Sequence, residues 1–185
     1  MLFCKFNELK RTNFLKYSEF TMKKIYVLFI ILCASCNFEK PTQFSELALN
    51  DTVYDLNNNA FSIKELLHQY KGKKVFIDVW ASWCADCIRG LPGVRNLQKE
   101  YPAVVFLFLS VDKSKNAWKN GIQRFQIKGE HYNLPKGMKS GEFVDFINLG
   151  WIPRYMVIDE QGKISLFKAT SASDSAIKEV LKKGI

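Results

Sequence analysis

The feature that most constrains the fold of this sequence is a pair of cysteines, Cys84 and Cys87, directly after an apolar run. Residues 74–80, KVFIDVW, are rich in β-branched and aromatic side chains and predict a strand. A helix is predicted to follow from about residue 86 to 100, with Pro92 inside it as a kink. We therefore expect Cys84 at the helix N-terminus, where unpaired N–H groups and the helix dipole stabilise a thiolate.

The C-x-x-C spacing predicts a redox function. Cys84 is expected to attack the disulfide of a partner, and Cys87, one helical turn later, to resolve the mixed disulfide. The same spacing near a β-α-β pattern is a recognised redox signature. A disulfide with a purely structural role is the alternative, although so short a loop removes little chain entropy.

Metal and haem sites fit the sequence poorly. Zinc needs four ligands, yet the only two histidines, His68 and His131, are far apart and no second cysteine pair follows the first. Covalent haem attachment needs C-x-x-C-H, and Ile88 stands at the histidine position. We expect no metal and no other cofactor.

The rest of the body is predicted to alternate between strands and helices. Residues 103–111, AVVFLFLSV, suit a central parallel strand joined to the first by a right-handed crossover. Before the first strand, we predict a short strand and turn in 51–59 and a helix after the capping box of Ser62 and Glu65. After the second strand, we predict a helix capped by Asp112 or Ser114, a loop over 128–141 and a short helix over 142–149. The chain is then predicted to form a hairpin of 154–158 and 163–168 and a helix over 174–182 closed by Gly184. This order is typical of an α/β fold.

The N-terminus is predicted to be an export signal. From Met22, two lysines precede about ten apolar residues, too few to span a membrane. The stretch LCASC, which ends at Cys36, resembles the lipobox of bacterial lipoproteins, in which that cysteine carries the lipid. The predicted organisation is an upstream start or long n-region in 1–21, a lipoprotein signal peptide in 22–35, a tether in 36–50 and one domain in 51–185.

Several separate motifs resemble the thioredoxin superfamily, and within it the TlpA/ResA-type extracytoplasmic thiol–disulfide oxidoreductases. They are DVWASWC at residues 78–84, the proline five residues after Cys87, GWIP at 150–153 and the hairpin sequence YMVIDEQGKI. The resemblance implies an α/β, thioredoxin-like fold. Its central mixed β-sheet would be flanked by helices and carry an N-terminal β extension.

The resemblance also implies catalytic roles. Cys84 is the nucleophile and Cys87 the resolving thiol, and the two form the redox disulfide. Asp78 matches a buried carboxylate that accepts the proton of Cys87 if burial raises its pKa. A hydrogen-bonded core or edge carboxylate is the alternative for Asp78.

For substrate binding, the resemblance implies three residues beside the disulfide. Pro153 is expected to be cis and packed against the disulfide. The backbone of Ile152 would pair with an extended substrate peptide, as in strand addition. Trp83 would shield the disulfide, with a packing aromatic as the alternative.

The dipeptide between the cysteines, Ala85-Asp86, predicts a reducing pair. No histidine there stabilises the Cys84 thiolate, and the charge of Asp86 opposes it. Charge complementarity with the helix N-terminus is the alternative role of Asp86. We expect a reductant or electron relay for protein disulfides, and the resemblance adds cytochrome c maturation as its setting.

The expected setting is the bacterial cell envelope, with the protein facing the periplasm as a lipid-anchored monomer. Its partners would be protein disulfides or dithiols and a membrane electron donor. Of the net charge of +9, +4 lies in residues 1–35 and the rest comes from scattered lysines, which does not indicate a nucleic acid partner. The alternatives are a non-catalytic binding lipoprotein and a disulfide oxidant or isomerase. A peroxiredoxin is excluded, because its motif needs proline at Ile77 and threonine or serine at Ala81.

Overall fold

A computed structural model describes residues 40–183. The predictions for the signal, for Cys36 and for Gly184 lie outside these residues. No helix within the described part is long and apolar enough to cross a membrane. The helices are α1 Glu46–Leu49, α2 Ile63–His68, α3 Ala85–Glu100, α4 Lys115–Phe125, α5 Glu142–Phe146 and α6 Ser175–Lys182.

One seven-stranded mixed sheet forms the centre of the described residues, in the order β2-β1-β5-β4-β3-β6-β7. β3, β4 and β5 run parallel, and the other neighbouring pairs are antiparallel. All six residues of β3 are buried, as its apolar sequence predicts for a central strand covered on both faces. The strands are β1 Thr52–Tyr54, β2 Ala60–Ser62, β3 Val75–Trp80, β4 Val105–Ser110, β5 Glu130–Asn133, β6 Arg154–Ile158 and β7 Ile164–Ala169.

The helices fall into two contacting groups. α3 and α4 are successive crossovers between parallel strands, so the right-handed rule places both on one face of the sheet. α6 joins them, because Lys178 on α6 donates to Glu100 on α3. The other group is α1, α2 and α5, in which α1 contacts both of the others. The predicted thioredoxin-like fold, with a central mixed sheet flanked by helices and an N-terminal β1–β2 hairpin, is confirmed.

The structure corrects two predictions. Residues 128–141 are not all loop, because β5 forms there and pairs with β4. The sequence of β5, EHYN, has no apolar run that would predict a strand, and its extended conformation comes from the pairing within the sheet. The predicted tether also differs, since the domain already includes residues from Pro41 onward. α1 buries Ala48, and the Phe44 ring stacks on the Phe143 ring of α5 at 5.9 Å.

Candidate active site

The two cysteines form a disulfide at the N-terminus of α3. Cys84 is the N-cap of the helix, and its Sγ accepts a hydrogen bond from the backbone N–H of Cys87 at 3.1 Å. The disulfide joins Cys84 to Cys87, with the Cα atoms 5.3 Å apart. The exposed fraction is 6% for Cys84 and 2% for Cys87, so Cys84 is the more accessible sulfur. Its place at the helix N-terminus favours the thiolate form after reduction.

A buried carboxylate fixes the loop that precedes the cysteines. Asp112 accepts hydrogen bonds from the backbone N–H of Ser82 at 2.9 Å and from the Ser82 hydroxyl at 2.8 Å. Its third donor is the Ser110 hydroxyl, at 2.8 Å. Asp112 was one of two predicted caps for α4, and Ser114 is the residue that caps it. Asp112 instead joins the carboxyl end of β4 to the cysteine loop.

The loop before β6 supplies the second side of the site. The Ile152–Pro153 peptide bond is cis, and the carbonyl oxygen of Ile152 lies 3.6 Å from Cys84 Sγ. Arg154, which follows, is buried and donates to the carbonyl oxygens of Ile147 at 2.5 Å and Asn148 at 3.3 Å. Burial lowers the pKa of this guanidinium. Arg154 therefore holds both ends of the proline loop, a role that the sequence analysis missed.

Two exposed indoles flank the disulfide. The side chains of Trp83 and Trp151 are each 62% exposed, although most tryptophans in folded proteins are largely buried. A groove of about 350 Å³ lies between them and includes Cys84, Ile152 and Met138 among its lining residues. Trp83 lines this groove beside Cys84, as a residue that shields the disulfide would. Trp151 and Met138 were missed from the sequence, because no local pattern shows that distant loops meet beside Cys84.

Asp78 lies beneath this surface in the central strand β3. It is 1% exposed, and its Oδ1 has no hydrogen-bond partner among residues 40–183. Burial raises the pKa of this carboxyl from its usual 3.8 to about 8. Among residues 40–183 no donor reaches Oδ1, so this atom gives no support to the alternative of a hydrogen-bonded carboxylate. A carboxyl group with a pKa close to neutrality can both accept and release a proton under physiological conditions.

The predicted site residues thus occupy two layers. Cys84, Cys87 and Ile152 meet at the N-terminus of α3, with Trp83 at the rim and the cis Pro153 next to Ile152 in the chain. Asp78 lies below them in the sheet. The described residues contain no group of three histidine, cysteine or acidic side chains that could hold a metal ion.

The comparisons with known proteins agree with this geometry. Residues 72–164, about half of the chain, match the family model described as thioredoxin-like. The thiol-disulfide oxidoreductase ResA of Bacillus cereus is 28% identical over 77% of this chain and 87% of its own length. ResA of Bacillus thuringiensis is 27% identical over 88% of this chain and 98% of its own.

A solved structure carries the same assignment. The solution structure of a candidate thiol-disulfide oxidoreductase from Bacteroides vulgatus is 32% identical, covers 80% of this chain and 90% of its own, and has a TM-score of 0.60. A Bacteroides fragilis thiol-disulfide oxidoreductase, 19% identical over 73% of this chain and 99% of its own with a TM-score of 0.59, shares the fold. The chain belongs to the thioredoxin-like family and is a thiol–disulfide oxidoreductase.

Proposed function

We propose that the Cys84–Cys87 pair reduces, or relays electrons to, disulfides of proteins outside the cytoplasm. The observation that carries this proposal is the position of Cys84 Sγ, at the N-terminus of α3 and 3.6 Å from the Ile152 carbonyl beside the cis proline. A thiolate there is stabilised by the helix, and an extended chain can reach it along the Ile152 backbone.

The exchange of disulfides proceeds in two steps. In the reduced protein, the Cys84 thiolate attacks a sulfur of the substrate disulfide, and the other substrate sulfur leaves as a thiolate that takes a proton from water. Asp78 then accepts the proton of the Cys87 thiol. The Cys87 thiolate attacks Cys84 Sγ in the mixed disulfide, the second substrate sulfur leaves, and the Cys84–Cys87 disulfide remains. Two electrons pass from the protein to the substrate.

The direction of electron flow follows from the surroundings of Cys84. The sequence places no histidine between the cysteines, and Asp86 brings a carboxylate into the first turn of α3. Asp86 is also ion-paired with Arg89, which lies one turn later on α3. The pair offsets much of the effect of Asp86 on the thiolate. We therefore propose a thioredoxin-like potential, because no histidine adds to the stabilisation of the thiolate that the helix N-terminus provides.

The test is the reduction potential of the Cys84–Cys87 pair, followed by the fluorescence of the adjacent Trp83 and Trp151 in thiol redox buffers. We expect a midpoint near or below about −250 mV, as in thioredoxin, and a change of less than about 30 mV in Asp86→Ala. A midpoint near about −120 mV would mean a disulfide oxidant and contradict the proposal. A pair that never cycles would indicate a binding protein.

Trp151 is proposed to hold the substrate chain against the disulfide. We expect Trp151→Ala to raise KM for a protein disulfide by roughly tenfold, because truncation of an exposed aromatic anchor removes about 1–2 kcal/mol of contact. The rate with a small disulfide such as oxidised glutathione should stay within about twofold, since it contacts little beyond the sulfurs. Leu47→Ala, at an exposed residue of α1, is the matched control. Equal losses with both substrates would contradict a binding role.

We propose further that the chain is attached to the periplasmic face of a membrane by lipid on Cys36. This proposal is supported by the export-signal pattern that ends at that cysteine. A membrane electron donor would then reduce the pair, and cytochrome c maturation is one pathway that would use it. Metabolic labelling with a radioactive fatty acid, compared between the wild type and Cys36→Ser, tests the attachment directly.

A further inference from the structure

A buried carboxylate at the start of β1 binds two points of a distant loop. Asp51 Oδ1 accepts hydrogen bonds from Lys136 Nζ at 2.9 Å and from the backbone N–H of Thr52 at 3.0 Å. Asp51 Oδ2 accepts a third from the backbone N–H of Phe143 at 3.1 Å. Burial alone would raise the pKa of this carboxyl, but the hydrogen bonds and the Lys136 charge lower it below its usual 3.8. Asp51 is therefore an anion at neutral pH.

The bonds from Asp51 hold both ends of the segment that leads from β5 into α5. Lys136 lies near the start of this segment, and Phe143 lies in the first turn of α5. Gly141, between them, has a φ of 120°, and a Cβ atom added there would lie 2.8 Å from Asp51 Oδ2. Glycine thus allows the carboxylate to approach the backbone closely.

This segment carries Met138 to the groove beside the disulfide. Met138 is half-buried, packs against the core and lines the groove of about 350 Å³ that contains Cys84. Hydrogen bonds from Gly137 to the Leu134 carbonyl and from the Ser140 hydroxyl to the Lys136 carbonyl are local to the segment. The bonds to Asp51, by contrast, attach it to the N-terminal strand.

The lining of the groove favours an apolar occupant. Trp83 comes from the cysteine loop, Trp151 from the proline loop and Met138 from the segment held by Asp51. Of the described residues that line the groove, only Asp86 is charged, and it is ion-paired with Arg89. A large apolar side chain gains free energy by burial in such a groove, whereas a charged one would lose its hydration without finding a partner.

We propose that Asp51 is a positioning residue that holds Met138 in the groove, and that the groove selects protein disulfides with a large apolar side chain beside the reacting cysteine. The inference rests on the proposed function, in which the Cys84 thiolate attacks such a disulfide. The unbranched thioether of Met138 can adapt to apolar side chains of different shape. Asp51 acts through Met138 and does not itself bind the substrate.

The test uses two disulfide-linked peptide dimers that differ only in the residue beside the cysteine, leucine in one and serine in the other. The rate constant for oxidation of the reduced protein by each dimer is followed by stopped-flow tryptophan fluorescence. We expect the wild type to react roughly tenfold faster with the leucine dimer, a ratio typical of selection by an apolar pocket. Met138→Ala should lower this ratio to about twofold, because the groove loses one apolar side.

Asp51→Asn should lower the ratio in the same way, because its amide cannot accept all the hydrogen bonds of the carboxylate and leaves a donor of the segment unpaired. Adding Asp51→Asn to Met138→Ala should lower it no further, since both changes act through the same side chain. Lys136→Met, at an exposed residue, removes one of the bonds with little risk to the fold and should also lower the ratio.

Asp55→Asn is the matched control. Its carboxylate also accepts hydrogen bonds in the N-terminal β extension, but from Asn57 and Asn59 of the same turn. We expect this variant to keep the wild-type ratio. In all the variants, the rate with oxidised glutathione should stay within about twofold of the wild type, because this small disulfide contacts little of the groove.

Three results would contradict the inference, and only one of them reaches the proposed function. If Met138→Ala lowers the ratio while Asp51→Asn and Lys136→Met keep it, the role of Asp51 is overturned. If the wild type reduces both dimers equally fast, the selectivity is overturned and the proposed function stands. If the wild type reduces neither dimer and does not reduce oxidised glutathione, the proposed function is overturned, and this inference with it.

Discussion

Replacing Cys84 with serine is expected to lower the rate of protein disulfide reduction by at least about 1000-fold, because a serine hydroxyl is not ionised near neutral pH and is a far weaker nucleophile than a thiolate. Cys84 is the more exposed of the two sulfurs and the one beside the Ile152 carbonyl, so Cys87 cannot replace it in the first attack. The measurement is turnover of a protein disulfide with a thiol reductant as the electron source.

Cys87→Ser provides the complementary result. We expect this variant to form a mixed disulfide with the substrate through Cys84 and to accumulate it, because the resolving thiol is missing. Mass spectrometry of the trapped species identifies the cysteine that attacks. Asp86→Ala is the control for damage at the helix N-terminus and should turn over within about threefold of the wild type. Trapping in Cys84→Ser through Cys87 would contradict the assignment.

Replacing Asp78 with asparagine is expected to stabilise the oxidised protein at alkaline pH by several kcal/mol. In the unfolded chain this carboxyl ionises near 3.8, whereas in the folded protein burial raises its pKa to about 8. Between pH 3.8 and about pH 8, Asp78 therefore keeps its proton in the folded protein but loses it in the unfolded chain. The stability of the wild type therefore falls as pH rises from about 4 to about 8, by about 1.4 kcal/mol for each pH unit, and then levels off.

Asparagine cannot ionise, so the stability of the variant does not fall with pH for this reason. The difference in the free energy of unfolding should be small at pH 4 and reach on the order of 4–6 kcal/mol above pH 8. Urea unfolding of the oxidised forms measures it, because disulfide-bonded cysteines do not titrate. Asp145→Asn, at an exposed carboxyl, is the control and should show no comparable rise. A difference that stays flat with pH would mean that Asp78 is ionised at neutral pH.

The sequence predicts best those parts of the structure that local patterns determine. The buried strand β3, the cysteines at the start of α3 and the β6–β7 hairpin follow from apolar runs, spacing and turn residues. These elements also contain most of the site. Ser62 and Glu65 form the predicted capping box, which depends on only four consecutive residues.

The remainder depends on contacts between distant segments. β5 is a strand because it pairs with β4. Phe44, just before α1, packs its ring against the rings of Phe143 and Phe146, and these contacts hold this part of the chain on the domain. No local pattern shows that Trp151 and Met138 meet beside Cys84.

The folding of residues after Pro41 onto the domain limits how far an anchored protein could reach. The backbone carbonyl of Thr42 accepts a hydrogen bond from the N–H of Ile164 at 2.8 Å, so the chain is already fixed there. If Cys36 carries the lipid, only five residues separate it from Thr42, and a chain of that length spans no more than about 17 Å. Through Ile158, Ile164 lies level with Val75 at the start of β3, whereas Cys84 follows the end of that strand. The chain that leads to Cys36 would thus leave the domain at the end opposite its disulfide. Partners would then approach the disulfide from the side of the domain that faces away from the bilayer.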